Sequence, residues 1–254
     1  MALTVQIPAT KAAKRNTMST MSSTRKTALV AGIFYLLTFI SIPTLALYGP
    51  VKNQPDWVLS SGGHTGVLVG GLLEVIMALA CIGTAVTLYP VVRRQNEGAA
   101  LGFVAARVLE AGLIFTGVVS LLSLVTLRQD LGGANAAALV GIGASHVAVY
   151  NWTFLLSQSL MPGINALLLG SLLFRSRLVP RLIPVLGLIG GPILIASVIA
   201  ALLRADHQVT VPAAGFVPVA AWEFSLGLWL VVKGFRPSPI TAALDAADAT
   251  LTVV

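Results

Sequence analysis

The sequence predicts an all-α fold, a polytopic bundle of six transmembrane helices with both termini in the cytoplasm. Of the 254 residues, 56% are hydrophobic and only 10% are charged, whereas an ordinary soluble domain has about 25% charged residues. So few charged side chains cannot coat a globule of this size, and the surplus apolar surface is expected to face lipid. The apolar residues also cluster in runs that are long enough to cross a bilayer.

Six apolar runs mark the predicted spans, and short segments rich in Pro, Gly, Ser or basic residues separate them. An α-helix rises about 1.5 Å per residue, so about 20 residues cross the hydrocarbon layer. The predicted spans are residues 28–48, 64–92, 98–127, 147–174, 182–203 and 211–232.

The longest stretch without Asp, Glu, Lys or Arg, residues 131–174, is too long for one straight span. As a single helix its 44 residues would extend about 66 Å, about twice the hydrocarbon thickness. We therefore expect its Gly- and Ala-rich part, residues 132–145, to form a loop or a short surface helix before the fourth span.

The distribution of Lys and Arg predicts the orientation in the membrane. Of these 16 residues, 12 lie in the tails and the even-numbered loops, three lie in the odd-numbered loops, and Arg107 lies inside a span. Cytoplasmic loops of membrane proteins are enriched in Lys and Arg. We therefore place a disordered tail, residues 1–24, and a flexible tail, residues 237–254, in the cytoplasm on either side of a six-span domain at residues 25–236.

Four ionisable side chains fall at membrane depth: Glu74, Arg107, Glu110 and Glu223. The helical rise places each of them roughly 13 to 18 Å into its span, so we expect all four to meet at one level inside the bundle. Fully ionised, the four would carry a charge of −2, which favours proton binding by one glutamate. They form either a proton- or substrate-coupling site, an anchor for an anionic ligand on Arg107, or a satisfied polar core that holds the helix register.

A stripe of amide side chains runs along the fourth predicted span. Asn151, Gln158 and Asn165 recur every seven residues, which places them on one face of a helix. This face should avoid lipid, and it either lines a cavity or hydrogen-bonds neighbouring helices.

No catalytic, metal or cofactor motif is evident. The sequence has no G-x-S-x-G, no H-E-x-x-H and no phosphate loop, so we expect no enzyme activity and no cofactor. The spacing of His64, His146 and His207 does not require a metal, and Cys81 lies alone in an apolar run. Basic residues lie between apolar runs rather than in a patch with aromatic residues, which excludes a nucleic-acid partner.

Four segments resemble a bacterial membrane family called domain of unknown function 4386. They are RSRLVPRLIPVLGLIG at residues 175–190, EFSLGLWLVVKGF at residues 223–235, ARVLEAG around Arg107 and Glu110, and the opening ALVAGIFYLLTFI. The resemblance covers residues 25–236. It implies six helices and a location in the bacterial inner membrane, and it implies no activity.

The sequence therefore predicts a multi-pass membrane protein whose certain partner is the lipid bilayer, with its activity left open. One hypothesis is a small-molecule or proton-coupled transporter that uses the buried Glu/Arg cluster. The alternatives are a non-catalytic membrane sensor or partner-binding subunit and, with less support, an intramembrane enzyme with scattered catalytic residues. The small-molecule ligand and a homo-oligomeric state stay open.

Overall fold

A computed structural model describes residues 21–129, 135–204 and 213–251. The described residues form ten α-helices and no strand. The helices are α1 (Ser23–Leu37), α2 (Thr44–Leu47), α3 (Gly49–Asn53), α4 (Thr65–Val92), α5 (Glu97–Gln129), α6 (Ala136–Leu155), α7 (Met161–Ser176), α8 (Leu182–Leu203), α9 (Ala213–Val232) and α10 (Pro239–Leu251). Short 3₁₀ helices lie at Thr38–Ser41 and Trp57–Leu59, and a π-helical turn at Leu156–Leu160 joins α6 to α7.

Six helical stretches are long and apolar enough to cross a membrane, which confirms the six predicted spans. They are Ser23–Leu47, Thr65–Val92, Glu97–Gln129, Ala136–Ser176, Leu182–Leu203 and Gly215–Val232. The first span is irregular, because its α-helix ends at Leu37 and a 3₁₀ turn leads to Pro43. Proline has no N–H to donate and its ring clashes with the preceding turn, so a break is expected there.

The six spans close into a ring. Each span packs against its neighbours along the chain, and α1 packs against α9, so that the last span completes the circle. Glycine makes this closure tight, because a Cβ on Gly32 would lie 2.7 Å from the carbonyl oxygen of Gly227. A second close approach occurs at Gly187, where a Cβ would lie 2.7 Å from the ring of Trp222.

The fourth span differs from the prediction. Residues 132–145 were expected to form a loop or a short surface helix, but α6 begins at Ala136 and continues through the π turn into α7. The Asn135 side chain caps it by accepting a hydrogen bond from the Ala137 N–H at 2.9 Å. The 41-residue stretch Ala136–Ser176 rises about 60 Å, so its start extends beyond the hydrocarbon layer and packs over Trp57–Leu59. The helix is longer than expected because a helix that crosses a membrane can continue beyond the membrane surface.

The C-terminal segment also differs from the prediction, because a helix forms where a flexible tail was expected from residue 237. Helix α10 packs against α1, and Asp245 accepts a hydrogen bond from the hydroxyl of Thr24. The α10 backbone is capped at its start, where the Thr241 N–H donates to the Ser238 hydroxyl at 3.2 Å. Residues 1–20 of the predicted leading tail lie outside the described residues, and α1 begins at Ser23, within the range predicted as tail.

The two ends of the bundle can be named from these contacts. Arg25 at the start of α1 donates to the carbonyl oxygens of Leu230 and Val231 at the end of α9, at 2.8 and 2.5 Å. Both described ends of the chain therefore lie at the same end of the bundle, called here the termini end. The opposite end, which carries α2 and α3, is the distal end. Placing the termini end in the cytoplasm stays a prediction from the Lys and Arg distribution.

Candidate functional site

An ion triad joins the third and sixth spans in the middle of the ring. The Nη1 of Arg107 donates to Oε2 of Glu110 at 3.1 Å, and its Nη2 donates to Oε1 of Glu223 at 2.6 Å. Arg107 and Glu110 are each 1% exposed and Glu223 is 12% exposed. From α7, the Nδ2 of Asn165 donates to Oε2 of Glu110 at 2.8 Å. These four residues are called the central site.

Aromatic rings surround the guanidinium group of Arg107. Its central carbon lies 5.2 Å from the ring centroid of Tyr35 on α1 and 5.8 Å from that of Phe103 on α5. Its Nη1 lies 3.5 Å from the sulfur of Cys81 on α4. A cation over ring faces is stabilised, more so when it is removed from water. Side chains of five helices, α1, α4, α5, α7 and α9, therefore meet at the central site.

Three polar atoms of the central site have no partner among the described residues. They are Nε of Arg107, Oε1 of Glu110 and Oδ1 of Asn165, all buried. Buried polar groups in folded proteins are nearly always hydrogen-bonded. The unused donor and the two unused acceptors therefore leave capacity for water or for a ligand.

A cavity of about 110 Å³ borders the ion triad on the distal side. Arg107, Glu110 and Glu223 line it, and Gln158 lies on its wall, while the remaining wall is mostly apolar. The cavity is large enough for several water molecules or a small organic group. The central site is thus a buried charged group beside open space rather than a filled polar core.

Glu74 lies apart from the central site, contrary to the prediction that all four ionisable residues meet. It is 1% exposed, and Tyr150 and Gln158 donate to its Oε1 at 2.9 and 3.1 Å while Tyr48 donates to Oε2 at 3.3 Å. On α4, Glu74 precedes Cys81 by seven residues, or about 10 Å towards the distal end. This group of four residues is called the Glu74 site.

A second cavity lies at the distal end, above the Glu74 site. It measures about 180 Å³ and is lined by residues that include Lys52, Trp57 and Asn151. The Nζ of Lys52 lies 5.3 Å from the ring centroid of Tyr150 and 5.6 Å from that of Phe154. The rings partly desolvate the amine, which lowers the pKa of Lys52, while the nearby charge of Glu74 acts in the opposite direction.

The predicted amide stripe faces the interior but serves three different places. Asn151 lines the distal cavity, Gln158 donates to Glu74 and lines the central cavity, and Asn165 donates to Glu110. The period of seven residues predicted the shared face, but it could not predict that the face passes three separate sites.

Three tyrosines of these sites were not predicted from the sequence: Tyr35, Tyr48 and Tyr150. Tyr35 and Tyr150 lie in apolar runs in which an aromatic residue is equally typical of packing, and Tyr48 reaches Glu74 only because the first span breaks before it. No group of three His, Cys, Asp or Glu side chains in the described ranges could hold a metal ion. His207, one of the three histidines of the sequence, lies outside those ranges.

Among the comparisons with known proteins, a family model matches the chain. The family model named Domain of unknown function (DUF4386) matches residues 30–234, a range that holds the central site and the Glu74 site. No curated protein and no solved structure matches the chain.

Proposed function

The chain belongs to the family named Domain of unknown function (DUF4386), and we propose that it is a proton-coupled carrier that binds a small molecule at the central site. The observation that supports this function is the ion triad beside the central cavity, with an oxygen of Glu110 that accepts no hydrogen bond. Intramembrane ionisable residues are costly and are usually found at substrate or proton pathways.

The charges of the central site give the coupling its physical basis. One guanidinium group serves two carboxylates, so the ionised triad carries a net charge of −1. A net charge in the low-dielectric interior is unfavourable, and a proton on Glu110 or Glu223 would remove it. The other titratable groups that face the triad are the Tyr35 phenol and the Cys81 thiol. The proton and any ligand that uses the same carboxylates are therefore linked.

The packing around the cavity supports a carrier closed on one side. Towards the termini end, the ring interior is filled by Phe103, Leu169, Leu172 and Leu173, which are all at most 2% exposed. Towards the distal end, the cavity lining includes the polar side chain of Gln158. A carrier needs a barrier on one side of its site at a time, and this apolar layer supplies it.

Transport can be tested in vesicles that enclose a pH-sensitive dye. The purified protein is reconstituted, and phenyltrimethylammonium, benzenesulfonate or benzamide is added outside to represent cationic, anionic and neutral solutes. We expect at least one solute to change the interior pH in a protein-dependent way. Glu110→Gln keeps the size of the side chain and one oxygen that can accept from Arg107 and Asn165, but the amide cannot take up and release a proton. This variant should therefore abolish the pH change.

Glu74→Gln is the matched control, since it makes the same chemical change in a carboxyl group that lies outside the ion triad. This variant should retain the solute-dependent pH change. The proposed function is refuted if no solute changes the interior pH beyond that of empty vesicles. It is equally refuted if Glu110→Gln transports as well as the unmodified protein while both variants melt at the same temperature as that protein.

A further inference from the structure

We propose that the ligand of the central site is a small amphipathic organic cation that reaches the cavity sideways from the bilayer, between the first and sixth spans. This inference rests on the proposed function, because it names the cargo of the same site. Three features of the central cavity support it: the charge of its floor, which is formed by Arg107, Glu110 and Glu223, the chemistry of its walls and the position of its rim.

The floor of the cavity has one carboxylate in excess. Glu110 and Glu223 share the single cation Arg107, and the other polar lining residues, Thr38, Ser41 and Gln158, are neutral. The unpartnered Oε1 of Glu110 is an acceptor without a donor. An organic cation supplies the missing positive charge, whereas an anion would add a second uncompensated negative charge.

The walls of the cavity are mostly apolar and partly aromatic. Phe39 and Phe216 contribute rings, and Met77, Leu194 and Val219 contribute aliphatic surface. A hydrated metal ion would find no further oxygen ligands on such walls. A cation with an apolar body would bury that body there, and the ring faces would add a cation–π contribution.

The position of the cavity rim follows from the lining residues that are exposed. It lies between Thr38–Ser41 of the first span, where the helix narrows to a 3₁₀ turn, and the part of α9 around Phe216. Ile42 and Phe216, which line the cavity, are 57% and 52% exposed, and an exposed apolar side chain on a membrane span is expected to face lipid. Nearer the termini end the two spans are sealed by the close contact of Gly32 with Gly227. A lateral opening is thus confined to the distal half of this helix pair.

Binding can be measured by isothermal titration calorimetry on the full chain in lipid nanodiscs. Phenyltrimethylammonium should bind, while benzenesulfonate, of similar size and opposite charge, should not. The cation and the proton compete for the same carboxylates. The apparent dissociation constant for phenyltrimethylammonium should therefore fall by about tenfold for each unit by which the pH rises, as long as one proton is released per bound cation. Glu223→Gln neutralises the excess charge and should weaken binding by more than about tenfold.

The position of the rim can be tested by placing a larger side chain there. Ala220 lines the cavity, and Ala221 is exposed on the same helix without lining it. Ala220→Phe should lower the affinity for phenyltrimethylammonium, and Ala221→Phe should leave it unchanged. Decyltrimethylammonium, whose chain is too long for a cavity of about 110 Å³, should still bind because its tail extends through the rim.

The outcomes separate this inference from the proposed function. Benzenesulfonate or benzamide could change the interior pH of the vesicles while phenyltrimethylammonium neither binds nor changes it. That result would support the proton-coupled carrier and refute the cationic ligand. If phenyltrimethylammonium binds with the stated pH dependence but no solute changes the interior pH, the result supports the cation-binding site and refutes the transport function. Exclusion of decyltrimethylammonium, or equal effects of Ala220→Phe and Ala221→Phe, would overturn the lateral opening.

Discussion

The central site and the Glu74 site are two buried carboxylate sites in one bundle, and they are built differently. Glu74 accepts hydrogen bonds from three neutral donors, Tyr48, Tyr150 and Gln158, and no cation bonds to it among the described residues. Glu110 and Glu223 share Arg107 instead, and they border a cavity. Both glutamate sites are nearly inaccessible, so burial alone does not distinguish them.

The two sites differ in whether both oxygens of the buried carboxyl group accept hydrogen bonds from the protein. Both oxygens of Glu74 are occupied by donors that belong to the fold, so a ligand would have to displace them. Oε1 of Glu110 is buried without a donor beside open space. We therefore assign a structural role to the Glu74 site and the proposed chemistry to the central site. Three measurements of stability test this contrast.

The largest effect is expected for Arg107→Ala. It leaves two carboxylates next to each other in the interior without their cation, and breaking a buried ion pair in this way costs about 3–5 kcal/mol. Thermal unfolding in detergent should show a strongly lowered melting temperature or loss of folded protein. Arg94→Ala, at an exposed turn, is the control and should melt as the unmodified protein does. Equal melting temperatures for the two variants would mean that the triad does not hold the ring together.

A smaller effect is expected for Tyr150→Phe. The change removes one donor from Glu74, but Gln158 still donates to the same oxygen. Buried hydrogen bonds between transmembrane helices contribute about 0.5–1.5 kcal/mol, and the loss should lie in this range when unfolding is followed by denaturant titration. Tyr89→Phe removes a hydroxyl that reaches Glu97 at an exposed position and should have no measurable effect. A loss as large as that of Arg107→Ala would contradict the contrast between the two sites.

The smallest effect is the coupling between the sites themselves. In a double-mutant cycle, Glu74→Gln and Glu223→Gln should be additive within about 0.5 kcal/mol, because the two side chains share no hydrogen bond. The comparison cycle pairs Glu223→Gln with Arg107→Leu, whose side chains are in direct contact, and should show a coupling above about 1 kcal/mol. Strong coupling in the first cycle would show that the two sites act as one.

Parts of the central site could be predicted from the sequence because they depend on local geometry. Arg107 and Glu110 stand three residues apart, and an α-helix brings such a pair together whatever surrounds it. The depth of Glu223 in its span predicted that it could join them. The depth of Glu74 did not predict its partners, because depth does not specify which neighbour a side chain contacts. Glu74 accepts hydrogen bonds from Tyr48 and Tyr150 and does not contact Arg107.

Composition and hydropathy alone are enough to predict the environment and the local structure of this protein. Its composition requires lipid around the chain, and its apolar runs require six helical spans. Only the tertiary structure decided that the first and last spans close the ring, that Glu223 and not Glu74 meets Arg107, and that a cavity opens beside them. The physical reason is that helix formation depends on residues within one or two turns, whereas closure depends on contacts such as Gly32 with Gly227. Such contacts join positions nearly 200 residues apart and leave no periodic pattern in the sequence.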